Sequence, residues 1–384
     1  MMNQYISKME GSASMRSMQM AAELKRKGVP VIDLAGGEPD FDTPLRIREK
    51  AKEALDAGHT HYAVGKGIYP LRKAISERLQ KENKIQADPE QIIVTPGGKF
   101  GIYLALTAIL NPGDEVLVFA PYWVSYVPII KACGGVPVVV PLTDKNDYKI
   151  ERDTVEKKIT DRTKMLIINY PNNPTGRILH QEEAEILRDL IMEYDLYAVA
   201  DEIYDKIVFD GKKNISLASF PEIRDSVVTV NGFSKCAAMT GWRIGYTAAG
   251  PEITKVMYRL FEHSITGVST FIQEAALEVF ECDAELEEMR KIYEKRRDYM
   301  VEEINKIPNL SCKCPEGAFY LWIKIDTDLT SEQACEKFLE QGNLVCVPSD
   351  SYGETKAAYV RCSFANDMKI LQNAVEKFSN VVLK

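Results

Sequence analysis

Apolar positions along the chain follow two rhythms. Short β-branched runs recur through the first two-thirds: "QIIVT" (91–95), a stretch near 115–119 after the "NPGD" turn, "VPVVV" (136–140), "KMLIINY" (164–170), "YAVAD" (197–201) and "SVVTV" (226–230). Between them lie stretches of helical period. The clearest is "HQEEAEILRDLIMEYD" (180–195), where Ala184, Leu187, Leu190 and Ile191 share one face. Another follows Gly97-Gly98 and reaches Leu110. Apolar strands alternating with amphipathic helices predict βαβ units. The expected fold class is α/β, a largely parallel sheet with helices on both faces. The last third changes character. A long helical zone runs from about Pro251 to Ile307, and "NLSCKCPEGAFYLWIKI" reads as strand, turn, strand. Helical 331–341, strand-like 343–348 and 357–364, and helical 366–380 complete a smaller α+β unit. A cleft between two such units is a usual ligand site.

Charge and composition narrow the partners. The 384 residues carry a formal net charge of −8, which disfavours nucleic acid because phosphate binding wants a basic surface. No apolar run approaches the roughly 20 residues that span a bilayer, so no membrane partner is expected. The first twenty residues are polar and charged throughout with no apolar core, unlike a secretory signal. The eight cysteines are scattered without a Cys-x-x-Cys pair, which fits reduced thiols and a cytoplasmic protein. Four isolated histidines give no expectation of a metal site.

Open α/β sheets bind ligands beyond the C-terminal ends of their strands. Lys235 follows "SVVTV" among Phe233, Cys236, Ala237, Ala238 and Met239. A lysine in such a dry setting loses ammonium stability and becomes a Schiff-base nucleophile; otherwise it is a snorkelling surface residue. Asp201 ends "YAVAD", with Tyr204 three residues on. It can face a positive ring nitrogen or simply cap a helix. Asn173 lies in "YPNNPTG", a sequence that also reads as plain turn chemistry. Trp123 offers a stacking surface or core packing. "TPGGKFG" (95–101) places Gly98 and Lys99 where a backbone can approach an anion, without the spacing of a nucleotide loop. Arg243 adds a fork suited to phosphate. Together these groups fit an aromatic cofactor with a phosphate, a cationic ring nitrogen and an aldehyde, and pyridoxal 5'-phosphate has all three.

The motifs "DLAGGEPDFDTP", "TPGGK", "PYWVSY", "NYPNNPTG", "ADEIYDKIVFDG", "NGFSKCAAMTGWRIGY" and "YVRCSFA" occur in that order across nearly the whole chain. In this combination the sequence resembles the class I, fold type I pyridoxal-phosphate aminotransferases, most closely the bacterial-type aspartate branch. The resemblance implies a seven-stranded, mostly parallel sheet in a large domain at 45–280. A small domain would combine 1–44 with 281–384. It implies that Lys235 holds the cofactor covalently and shuttles the proton, and that Asp201 pairs with the ring nitrogen. Tyr204 and Asn173 would bond the phenolic oxygen, and Trp123 would stack on the ring. Gly98, Lys99 and Arg243 would hold the phosphate, with Tyr62 reaching that of a neighbouring subunit in a homodimer. Arg361 would grip the substrate α-carboxylate, near the Gly37 backbone. Some relatives carry a serine where Gly232 stands here, which removes one expected phosphate contact.

The implied reaction is transamination between an L-amino acid and a 2-oxo acid. No arginine occurs in "EHSITGVSTFIQ" (262–273) to read a distal carboxylate. In the bacterial branch that work falls to the positions of Lys99, Ser12 and Ser14, which favours aspartate and glutamate with oxaloacetate and 2-oxoglutarate. Aromatic or prephenate-type substrates, and a carbon–sulfur β-lyase on the same fold, stay open.

Overall fold

The structure is a computed structural model that describes residues 6–9, 11–63, 65–353, 355 and 357–383; of Ala13 and Ser14 it describes the backbone alone. A short strand β1 (Ile32–Asp33) precedes the main sheet. The sheet contains β2 (Ile92–Thr95), β3 (Glu115–Ala120), β4 (Val136–Pro141), β5 (Thr163–Asn169), β6 (Tyr197–Asp201), β7 (Val227–Gly232) and β8 (Gly245–Ala248). Their order is β2-β8-β7-β6-β5-β3-β4. Pairs among β3 to β7 are parallel, while β8 runs antiparallel to both β2 and β7. This is the expected mostly parallel, seven-stranded sheet. Adjacent residues on one strand enter opposite cores: Val94, Leu117, Leu166 and Ala198 pack on one face. Ile93, Val116, Ile167 and Val199 pack on the other. Burial on both faces is why these strands read as continuous apolar runs.

β8 escapes the sequence pattern. It is four residues long and holds one glycine, one tyrosine, one threonine and one alanine, so it shows no β-branched run. The helical zone at 251–307 is three helices, Pro251–Ser264, Thr270–Leu277 and Asp283–Ile304. The first break falls at Thr266, whose φ is 70°, followed by Gly267, a backbone no helix continues through.

The C-terminal part adds β9 (Leu310–Cys312), β10 (Tyr320–Ile325), β11 (Leu344–Val345), β12 (Val347–Pro348) and β13 (Ala358–Ser363). The expected strand at 343–348 is thus two. β11 pairs in parallel with β1, and β12 joins an antiparallel sheet ordered β12-β13-β10-β9. Opposite Arg361 on β13 lie Trp322 of β10 and Val347 of β12. The core of this part takes in Tyr204, Ile207 and Phe209 from just beyond β6.

From β3 the chain steps outward to β4, whereas from β5 it proceeds through β6 to β7 on the other side. Such a reversal opens a crevice at the C-terminal ends of β3 and β5. Among the described residues no helix is long and apolar enough to cross a membrane.

Gly232 has a packing reason. It faces Gly245 across β7 and β8, and a Cβ there would lie 2.8 Å from the Gly245 Cα and 3.1 Å from the Ile244 carbonyl oxygen. Two backbones meet here, so no side chain fits without moving a strand. Gly232→Ser is expected to destabilise the fold by about 1–3 kcal/mol, as overpacking does, measured by the denaturation midpoint. An unchanged midpoint would contradict this packing.

Candidate active site

A cavity of about 270 Å³ opens at the crevice. Ser12, Gly37, Gly98, Lys99, Trp123, Asn173, Asp201, Tyr204, Lys235, Arg243 and Arg361 all line it. The fold therefore gathers residues spread over some 350 positions. Two expected residues are not among them. Tyr62 is 87% exposed and does not line this cavity. The Ser14 side chain lies outside the described residues.

Asp201 ends β6 and is buried. Its carboxylate accepts from the Tyr126 hydroxyl at 2.7 Å and from the Ile203 backbone N–H at 3.2 Å. No helix begins here, so it caps none. Burial raises its pKa to about 6, while Tyr126, Ile203 and the nearby Lys235 charge hold it down. A buried carboxylate of this kind is suited to a cationic N–H.

Lys235 follows β7 in a turn and is open only toward the cavity. Its ammonium donates to the Gly37 carbonyl at 2.5 Å. Burial lowers its pKa to about 8; Glu38 opposes that shift, and Arg243 and Arg361 reinforce it. Tyr204, also buried, shares a 2.8 Å hydrogen bond with Tyr320.

Arg361 is 2% exposed, yet its hydrogen bonds go to neutral oxygens. Nη1 donates to Asn173 Oδ1 at 3.2 Å and Nη2 to the Ala35 carbonyl at 2.5 Å. Nε is buried without a hydrogen-bond partner. The guanidinium carbon lies 4.4 Å from the Tyr320 ring centroid. A buried guanidinium with spare donors awaits an anion.

The other wall suits a phosphate. The Gly98–Ile109 helix starts there with no side-chain cap, so its first N–H groups are available to an anion. Gly97 has φ 82°, and a Cβ on it would lie 2.6 Å from Arg243 Nη2. Only glycine leaves this seat open beside the arginine. Trp123 stands edge-on to Tyr126 at 5.3 Å, and Lys99 Nζ lies 4.8 Å from its ring centroid. Burial and the neighbouring Arg243 lower the Lys99 pKa.

Sequence reading passed over Tyr126, Tyr320, Thr240 and Glu38. Tyr126 had a signal, since it closes the "PYWVSY" motif three residues after Trp123. Tyr320 had none: it is an interior position of β10, opposite Ser363.

An open α/β sheet with this edge belongs to an enzyme whose cofactor has a ring, a phosphate and an aldehyde. The chain is a member of the family described as Aminotransferase class I and II, which matches residues 29–378. It is 41% identical over 357 residues to "Aspartate aminotransferase" of Pyrococcus abyssi, covering 92% of each chain. Identity and coverage are the same with "Aromatic-amino-acid aminotransferase 2" of Thermococcus litoralis. The fold matches the aspartate aminotransferase from Thermus thermophilus with maleate at a TM-score of 0.95, with 37% identity over 100% of both chains. The protein is an aminotransferase that depends on pyridoxal phosphate and acts on small amino acids and oxo acids.

The Lys235 shift predicts how the cofactor-free chain captures pyridoxal phosphate. Near pH 8 about half of Lys235 is neutral, against well under 1% of an ordinary lysine. The capture rate should rise with pH up to about 8 and flatten above it, followed by absorbance. A rise continuing toward pH 10 would show an unperturbed lysine.

Proposed function

We propose that this enzyme moves the amino group between aspartate or glutamate and the corresponding 2-oxo acids, oxaloacetate and 2-oxoglutarate. The observation that carries this reading is Arg361, a buried guanidinium whose partners are neutral and whose cavity also holds Lys235. An α-carboxylate supplies the missing countercharge and satisfies two donors at once. When bound, pyridoxal phosphate draws electrons from the substrate Cα and so acidifies its proton. Lys235 would anchor it covalently, and once released would take the Cα proton and return it one position away. Asp201, kept in place by Tyr126, would hold a proton on the ring nitrogen. Tyr204 and Asn173 would donate to the phenolic oxygen. Trp123 would cover one ring face, while Gly98, Lys99 and Arg243 would hold the phosphate. Arg361, with the Gly37 backbone nearby, orients the substrate so that Lys235 reaches the Cα proton.

Lys99 and Ser12 on the same cavity support an acidic substrate, as do the relatives named for aspartate. Met15, Met18 and Ile102 also line the cavity and favour, as a second reading, an apolar or aromatic side chain. The T. litoralis relative points the same way.

Three further points belong to this reading. Tyr62, exposed beside exposed Tyr69 and Leu45, would reach the cofactor phosphate of a second copy in a homodimer. The division into 45–280 and 1–44 with 281–384 is supported by the separate cores around the two sheets. A cytoplasmic location is supported by the eight free cysteines.

Aspartate with 2-oxoglutarate should yield oxaloacetate and glutamate. Pyruvate and ammonia from a cysteine conjugate, with no oxo-acid exchange, would instead establish the β-lyase. Arg361→Lys removes the planar fork and should cost about 3 kcal/mol, a loss on the order of 100-fold in kcat/KM. Retained kcat/KM would refute the assigned role.

A further inference from the structure

One irregular segment touches both cations of the site. Between β1 and the Leu45–Asp56 helix, residues 34–44 form no helix or strand. Yet the Ala35 carbonyl accepts from Arg361, and the Gly37 carbonyl accepts from Lys235. Tyr320 closes in as well: a Cβ on Gly37 would lie 3.0 Å from its hydroxyl. A segment without its own backbone ladder must be held by side chains.

Two fastenings do this. Near its end, the Thr43 hydroxyl donates to the Ala238 carbonyl at 2.6 Å and accepts from Trp242 Nε1 at 3.0 Å. In its middle, Arg296 of the Asp283–Ile304 helix donates Nη1 and Nη2 to the two oxygens of Asp40, at 2.7 and 2.8 Å. Among the described residues this is the only ion pair the segment makes. Arg296 is 5% exposed, and its guanidinium lies 5.1 Å and 5.7 Å from the Phe41 and Tyr293 ring centroids. A forked pair between aromatic rings fixes orientation as well as distance.

We infer that Arg296 and Asp40 are a positioning pair, fixing the segment so that its Ala35 and Gly37 carbonyls meet Arg361 and Lys235 together. Neither residue lines the cavity or touches substrate. Their effect passes through the backbone three to five residues away from Asp40. The inference rests on the roles proposed above for Lys235 and Arg361.

The test uses cofactor-loaded enzyme carrying D40N, R296Q, R296K or D40N with R296Q. Four quantities are read: kcat, KM for aspartate, the Kd of maleate from its effect on cofactor absorbance, and Tm. Displacing a reacting group slightly costs up to about 100-fold, so D40N and R296Q should each lower kcat and raise the maleate Kd by about tenfold. The double variant should be no worse than either single, because both remove the same contact. R296K keeps the charge without the fork and should recover only part of the loss. Singles with kcat and Kd within twofold of the parent and only a lower Tm would overturn the inference. If R296Q does not fold, D40N decides alone, since Asp40 lies toward the surface. A harmless D40N beside a damaging Arg361→Lys defeats only the positioning pair. A harmless Arg361→Lys defeats the reading of the site itself.

Discussion

Two cations, Arg361 and Lys235, sit in the protein interior with carbonyl and amide oxygens for company. Removing a charge from water without a full countercharge costs several kcal/mol. A fold that needed only stability would replace them with apolar residues. Here the cost is offset in part by ring faces and fixed dipoles, as where Arg361 lies against Tyr320. What the cations lack is negative charge, and an amino acid substrate and a phosphorylated cofactor bring it. The burial that destabilises the empty site gives the lysine its lowered pKa and the arginine its spare donors.

The two cations come from different parts of the chain. Lys235 extends from β7 of the seven-stranded sheet, while Arg361 belongs to β13 of the four-stranded one. The site therefore exists only where the two parts pack. Tyr204 illustrates the join: it follows β6 of the large sheet, enters the other core, and bonds Tyr320 of β10. The Ala35–Thr43 segment is a second join, carrying one carbonyl to each cation. A contact on either path can change catalysis without touching substrate.

Much of the site was legible because parallel strands buried on both faces announce their ends. Lys235, Asp201, Asn173 and Trp123 each follow such a run, and the ordered motifs supplied their roles through the family resemblance. β8 was hidden because it is short and lacks a β-branched run. Pairings between distant residues were hidden too. Asp40 and Arg296 are 256 residues apart, and Tyr204 and Tyr320 are 116 apart. No local period records such contacts, since they depend on how the two parts dock. Gly232 shows the opposite case: a residue that looked like a missing phosphate contact is glycine because a neighbouring strand occupies the space.

The central claim is that Lys235 is the amine joined to the cofactor. Borohydride reduction of the loaded enzyme, followed by digestion and mass mapping, tests it most directly. The account predicts one pyridoxyl adduct, on Lys235 in the peptide that spans Val230 to Tyr246. An adduct on Lys99 or on any other lysine, with Lys235 unmodified, would contradict it.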